Sequence, residues 1–113
     1  MDKQGRKDLI REYKETPRTM GVFRVRNTGS GRSIVASSRD VHSVLNRHRA
    51  QLRMGGHPDK QLQKEWDALG ADAFEFEILD TLEPKEEAGY DPADELSELE
   101  ALWVEKLAAE GQR

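Results

Sequence analysis

Nine cationic side chains stand between positions 21 and 64: Arg24, Arg26, Arg32, Arg39, Arg47, Arg49, Arg53, Lys60 and Lys64. Only Asp40 and Asp59 oppose them, so this stretch carries +7. Guanidinium and ammonium groups at that density are suited to neutralising the phosphates of a polyanion. Residues 1–20 carry +2 and residues 65–113 carry −13, for a formal net charge of −4. A net-acidic chain with one basic stretch predicts a basic face that meets a polyanion, and an acidic remainder. The plainer alternative is a solvated surface whose two halves neutralise each other across the fold.

Histidines number three. The chain has no cysteine, which excludes disulfides, thiolate zinc sites and thiol nucleophiles. Neither His48 nor His57 has a partner at metal-ligand spacing, so zinc is not expected. His48 lies on an apolar stripe, where a packed, hydrogen-bonded histidine competes with a phosphate contact. His57 follows Gly55-Gly56, where opening the next helix competes with a role in a site. Glu100, among Glu95, Glu98 and Glu105, has the bland reading of an exposed helix acid.

The elements that must position these groups can be read from periodicity. Gly21 to Asn27 alternates Phe23 and Val25 with Arg24 and Arg26, the period of a strand. Residues 27–31 are turn chemistry, and Arg32 to Ser37 forms a second strand, so an antiparallel hairpin is expected with Phe23 facing Ile34. Ser37 or Ser38 caps a helix, with Asp40 in its first turn. The stripe Val41, Val44, Leu45, His48 and Leu52 runs along that helix until Gly55-Gly56 ends it. A second helix over residues 59–69 buries Leu62, Trp66 and Leu69. Phe74, Phe76 and Ile78 alternate with Glu75 and Glu77 in a third strand. An acidic loop over residues 80–91 leads to Asp91, which caps, and Pro92, which opens, a last helix with Leu96, Leu99, Trp103 and Leu107 inward. A thinner pattern, with Leu9, Ile10 and Tyr13, suggests an N-terminal helix over residues 3–15.

At 113 residues the chain is expected to be one domain over residues 20–109, with an N-terminal extension over 1–19 and a tail over 110–113. Three strands cannot bury both their faces, so helices must cover the sheet. The fold class is a small α+β domain of order β-β-α-α-β-α. No stretch approaches the ~18 consecutive apolar residues of a membrane span, and the charged N-terminus lacks a signal-peptide pattern. A cytoplasmic location is expected.

Over about residues 20–108 the chain resembles the GIY-YIG nuclease family. Gly21-Val22-Phe23 sits at the first tripeptide, and residues 27–31 at the hairpin turn. Ile34-Val35-Ala36 with Ser37-Ser38 sits at the second tripeptide and its serine. Leu45-Asn46-Arg47-His48, Gly55-Gly56-His57 and Leu62-Gln63-Lys64-Glu65-Trp66 follow in order. Phe74-Glu75-Phe76-Glu77-Ile78-Leu79 and Leu99-Glu100 ahead of Trp103 complete the series.

The resemblance implies a phosphodiesterase site using one divalent metal, two tyrosines, an arginine, a helical histidine, a glutamate and a late asparagine. Here Phe23 and Ile34 replace the tyrosines, Val44 replaces the arginine, and nothing after Trp103 offers the asparagine. The remnants are His48 and His57 as catalytic positions and Glu100 as the metal position; Arg47, one turn from Val44, is a less favoured stand-in for the missing arginine. Phenylalanine and isoleucine cannot relay a proton, and valine cannot stabilise phosphoryl charge. General acid–base groups contribute about 10²–10⁴-fold, and one electrostatic donor about 10²–10³-fold. The expected function is therefore a nucleic-acid-binding domain, for DNA above all, with lost or strongly reduced catalysis. One alternative is a protein-interaction module that meets a basic partner through its acidic C-terminal half. Another is a residual endonuclease dependent on magnesium or manganese.

Overall fold

The computed structural model describes residues 18–85 and 88–111; the helix expected over residues 3–15 lies outside them. The elements run β1 (Met20–Asn27), β2 (Ser33–Ser38), α1 (Val41–Met54), α2 (Lys60–Leu69), a 3-10 turn (Ala71–Ala73), β3 (Phe74–Leu82) and α3 (Ala93–Ala109). The three strands form one antiparallel sheet of order β2-β1-β3. This is the expected α+β architecture. None of the described helices is long and apolar enough to cross a membrane.

Alternation in β1 sorts its side chains onto two faces. Phe23 and Val25 pack with Val41, Leu45 and Leu52 of α1, Leu62 of α2 and Phe74 of β3, in a cluster that Ile34, Ala36, Val44 and Trp66 flank. Met20 and Val22 are buried too, but they share the opposite face with Ser37, which bonds to α3. The sheet is thus a middle layer, with α1 and α2 on one side and α3 on the other.

The register corrects one expectation. Phe23 pairs with Ala36, and Ile34 with Val25, so Phe23 and Ile34 are diagonal neighbours on one face rather than direct partners. Ending the turn at Arg32, whose carbonyl accepts the Asn27 N–H (2.8 Å), fixes that pairing. Two further details differ. The cap of α1 is Asp40, not Ser37 or Ser38: its Oδ1 accepts the Ser43 N–H (3.1 Å) and its Oδ2 the Ser43 hydroxyl (2.8 Å). The serines remain in β2, one of them tied to Glu100 and the other accepting the Asp40 N–H. β3 continues to Leu82, so residues 80–82 belong to the sheet and not to the acidic loop.

Gly21 lies where β3 comes closest. The pairing of β1 with β3 shifts between Val22 and Phe23. That irregularity brings the Asp80 carbonyl into the space a Cβ on Gly21 would occupy. The α2 stripe also departs from its pattern. Leu62 is buried and Trp66 partly so, but Leu69 is exposed and Gln63 is buried.

Candidate nucleic-acid interface and remnant site

His48 and His57 come from different segments, nine residues apart, and meet in one hydrogen bond. Their Nδ1 and Nε2 atoms lie 2.8 Å apart. The Gly55 cap, in the left-handed region at φ 80°, turns the chain out of α1 so that His57 folds back on it. His57 is buried. Its Nδ1 accepts the Asp59 N–H (3.0 Å), and its own N–H donates to Gln63 Oε1 (3.1 Å). Gln63 Nε2 then donates to the Leu52 carbonyl (3.0 Å) and to Asp67 Oδ1 (3.0 Å). One buried amide thus clamps the end of α1, the connecting loop and α2.

These contacts determine the protons. Because His57 Nδ1 accepts, a neutral His57 carries its proton on Nε2 and donates it to His48 Nδ1. His48 then holds its own proton on Nε2. Protonating either ring would place hydrogens on both facing nitrogens, or on the nitrogen that receives Asp59. Burial first, then His57 and Arg47, push the His48 imidazole below the ordinary histidine range. Phe23 lies against the His48 ring at 5.5 Å between centroids. The pair is therefore an apolar-backed bond between α1 and the loop that follows it, with His48 held toward its neutral form.

The positions matched to the family motifs lie around it. Phe23 is 2% exposed; Ile34 and Val44 pack against the same cluster. Val44 borders an open cleft of about 410 Å³, lined also by Arg18, Ser38, Asp40, Ser43 and Arg47. Arg47 thus shares a cleft with the valine. Arg18 sits 3.7 Å from Asp40. Hydrogen bonds from the Ser43 N–H and hydroxyl, and then Arg18, hold the Asp40 carboxyl below its usual range against a smaller opposing effect of burial.

Glu100 is not an ordinary solvated acid. Its Oε1 accepts both the N–H (2.7 Å) and the hydroxyl (3.1 Å) of Ser37. It approaches the sheet from the α3 side, whereas the histidines lie on the α1 side. Among the described residues no hydrogen bond joins it to them. The divalent metal that the family resemblance implies would find one carboxylate here, with one oxygen already committed. Among the described residues no three His, Cys, Asp or Glu side chains gather to hold an ion. A lone carboxylate holds hydrated magnesium only with substrate phosphate completing the shell. These donors do not build a metal centre by themselves.

The nine basic positions divide by environment. Arg24 is buried, with its Nε 2.7 Å from Glu77 Oε2, and this corrects its expected place at a surface for nucleic acid. The same alternation that puts Phe23 against α1 turns Arg24 to the other face. Arg26 shares that face and is half-buried. Arg32 is tied to Glu65 (2.7 Å) and Arg39 to Asp91 (2.6 Å). Arg49 lies over the Phe76 ring, 4.6 Å from its centroid. Arg47, Arg53, Lys60 and Lys64 are exposed on α1 and α2, and among the described residues none of them makes an ion pair.

Sequence reasoning missed Glu65. Its carboxylate gathers the Asn27 amide (2.7 Å), the Ser30 hydroxyl (2.8 Å), Arg32 and the Gln61 amide (3.3 Å). Asn27 is fully buried, and its Oδ1 accepts the Gly29 N–H (2.9 Å). Burial pushes the Glu65 carboxyl up, but the bonds from Ser30, Asn27, Arg32 and Gln61 together bring it below its usual range. The sequence offered an asparagine opening a glycine-rich turn and placed Glu65 inside the matched segment Leu62–Trp66, but nothing there joined the two across 38 residues.

No protein-family model and no curated protein matches the chain. Solved structures do. The catalytic domain of the homing endonuclease I-TevI superposes with a TM-score of 0.61 at 25% identity, over 82% of this chain and 92% of that one. A point variant of the catalytic domain of intron endonuclease I-TevI gives 0.61 at 23% identity, over 83% and 89%. The chain has a GIY-YIG-like fold. It is a nuclease-like scaffold, and what it does on that scaffold is a separate question.

Proposed function

We propose that the chain is a nucleic-acid-binding domain on a GIY-YIG-like scaffold, with phosphodiesterase activity lost or strongly reduced. The observation that carries this reading is the exposed set Arg47, Arg53, Lys60 and Lys64 on α1 and α2, of which Arg47 lines a cleft with Val44. Cations free of carboxylate partners are available to phosphates, and phosphate contacts give most of the affinity in sequence-independent binding. DNA is the favoured polyanion because the solved relatives are endonuclease domains.

The loss of catalysis rests on what stands at the motif positions. Phe23, Ile34 and Val44 offer neither a hydroxyl nor a charge. The His48–His57 pair already spends its facing nitrogens on each other, so it gives no ready base on that side. Losing an acid–base group and an electrostatic donor together removes most of a rate, though not additively.

The test uses duplex and branched DNA with magnesium or manganese. The native chain should shift both substrates on a gel and cleave neither. Reversing Arg53→Glu and Lys60→Glu together should abolish the shift; both are exposed, and circular dichroism should confirm that the variant stays folded. Absence of any shift at low salt would refute the binding reading. Cleavage that vanishes in Glu100→Ala would replace the proposal with a residual endonuclease, whereas equal cleavage in both would identify a contaminant.

A further inference from the structure

β2 is an edge strand, and among the described residues only Glu100 is bonded to its outer rim. Its bonds to β1 pass through even-numbered residues: Arg32 receives Asn27, and Ile34, Ala36 and Ser38 face Val25, Phe23 and Gly21. Ser37, of the other parity, donates its N–H outward to Glu100. Backbone direction alternates along a strand, so Ser33 and Val35 also aim their N–H and C=O groups outward. Edges of this kind are usually blunted by charge or proline. The sequence of β2, Ser-Ile-Val-Ala-Ser-Ser, has neither. Glu100 closes only the Ser37 donor, near one end.

Alongside that rim runs α3. Ser33 and Val35 together with Val104, Leu107 and Ala108 line an open, largely apolar groove of about 280 Å³. Val104 is 49% exposed and Leu102 is 62% exposed. Glu98, Leu102 and Glu105 follow the i, i+4, i+7 spacing of one helical row beside the groove, and both glutamates are exposed. Residues 93–110 hold six Asp/Glu against one Lys.

We propose that this groove takes an extended, basic peptide segment of a protein partner, added to β2 as a fourth strand. The outward groups of Ser33 and Val35 supply main-chain bonds, the usual source of affinity in strand addition. An aliphatic side chain of the segment enters between Val35, Val104 and Leu107. Alternate lysines or arginines reach Glu98 and Glu105. A second copy of this chain fits poorly, because pairing two β2 edges would bring two acidic α3 helices together. Nucleic acid is repelled by the same charge. The surface lies across the sheet from the basic face and does not depend on that face binding anything.

The probe is an alternating lysine–valine peptide long enough to span β2, titrated into the full chain, with a glutamate–valine peptide as control. Backbone amide exchange is the geometric readout. Exchange at Ser33 and Val35 should slow by about tenfold or more on binding, whereas Ile34 and Ala36, already in the ladder, should change little. Val104→Glu should weaken binding by about tenfold or more. Glu98→Lys with Glu105→Lys should weaken it and flatten its salt dependence. These side chains are exposed, so circular dichroism should confirm that the variants stay folded. Four outcomes overturn the proposal: no binding, protection confined to other elements, indifference to Val104→Glu, or equal binding of the acidic control. Amides at Ser33 and Val35 already protected in the free chain would mean that the chain covers its own edge. A concentration-dependent dimer that Val104→Glu dissolves would give the groove to a second copy. Either result also overturns it.

Discussion

His57 Nδ1 accepts the Asp59 N–H, and that bond decides where the protons sit on two rings. Because His48 is held below the ordinary histidine range, its folded form stays neutral at a pH where the unfolded chain has begun to bind a proton. Stability is therefore full above about pH 6.5, the ordinary histidine value. It declines as pH falls from there toward the lowered folded value, since the unfolded state then binds more protons. An NMR titration should show the His48 ring moving late, and His57→Ala should shift it back toward the ordinary value. A His48 that titrates at or above about 6.5 would contradict the tautomer assignment. Glu65 works with the opposite sign. Its lowered carboxyl contributes stability above the ordinary carboxylate range of about 4.3, and loses it as pH falls through the folded value. Glu65→Ala leaves the buried Asn27 amide without its acceptor and should cost about 1–3 kcal/mol. Chemical denaturation at neutral pH measures this, and Glu65→Gln should cost less because it keeps an oxygen there.

At the scale of the elements, the shift in register between β1 and β3 makes Gly21 irreplaceable. Gly21→Ala drives a methyl into the Asp80 carbonyl, and backbone cannot step aside as a flexible side chain does. A loss of about 1–3 kcal/mol is expected, visible as a lowered Tm; an unchanged Tm would mean that the strands separate easily there. Element types and order were legible in the sequence, because Phe23/Val25, Phe74/Phe76 and the α1 stripe follow clear periods. The boundaries were less so. Asp40 outcompetes two serines for the α1 cap because strand pairing holds Ser37 and Ser38 back in β2. Leu69 looked like core from its spacing, but α2 ends there and its tip reaches solvent over the hairpin turn. Of the candidate site, the matched motifs pointed to Phe23, His48 and Glu100. Which residues touch was not legible, since Glu65–Asn27 and Gln63–Leu52 join segments by side-chain reach rather than by period. The side of the sheet that holds Arg24 was legible in principle, because it must oppose Phe23, yet counting charge alone ignored that alternation.

At the scale of the molecule, the sheet separates α1 and α2, with their exposed cations, from the acidic α3. If Arg47, Arg53, Lys60 and Lys64 all meet phosphates, the logarithm of affinity should fall with the logarithm of salt at a slope of roughly −3 to −4. That amounts to about a hundredfold loss from ~50 to ~200 mM salt. Fluorescence anisotropy with labelled duplex measures it, and a slope near zero would show that these groups are not the contact. The layered arrangement has another consequence. Opposite charges held apart by a rigid sheet give the molecule a permanent electric dipole along the sheet normal. A charged surface therefore applies a torque to the chain before contact, and turns one pole or the other toward itself. Despite its net charge of −4, the protein should be retained at neutral pH and low salt by cation-exchange and anion-exchange resins alike, presenting a different helix layer to each.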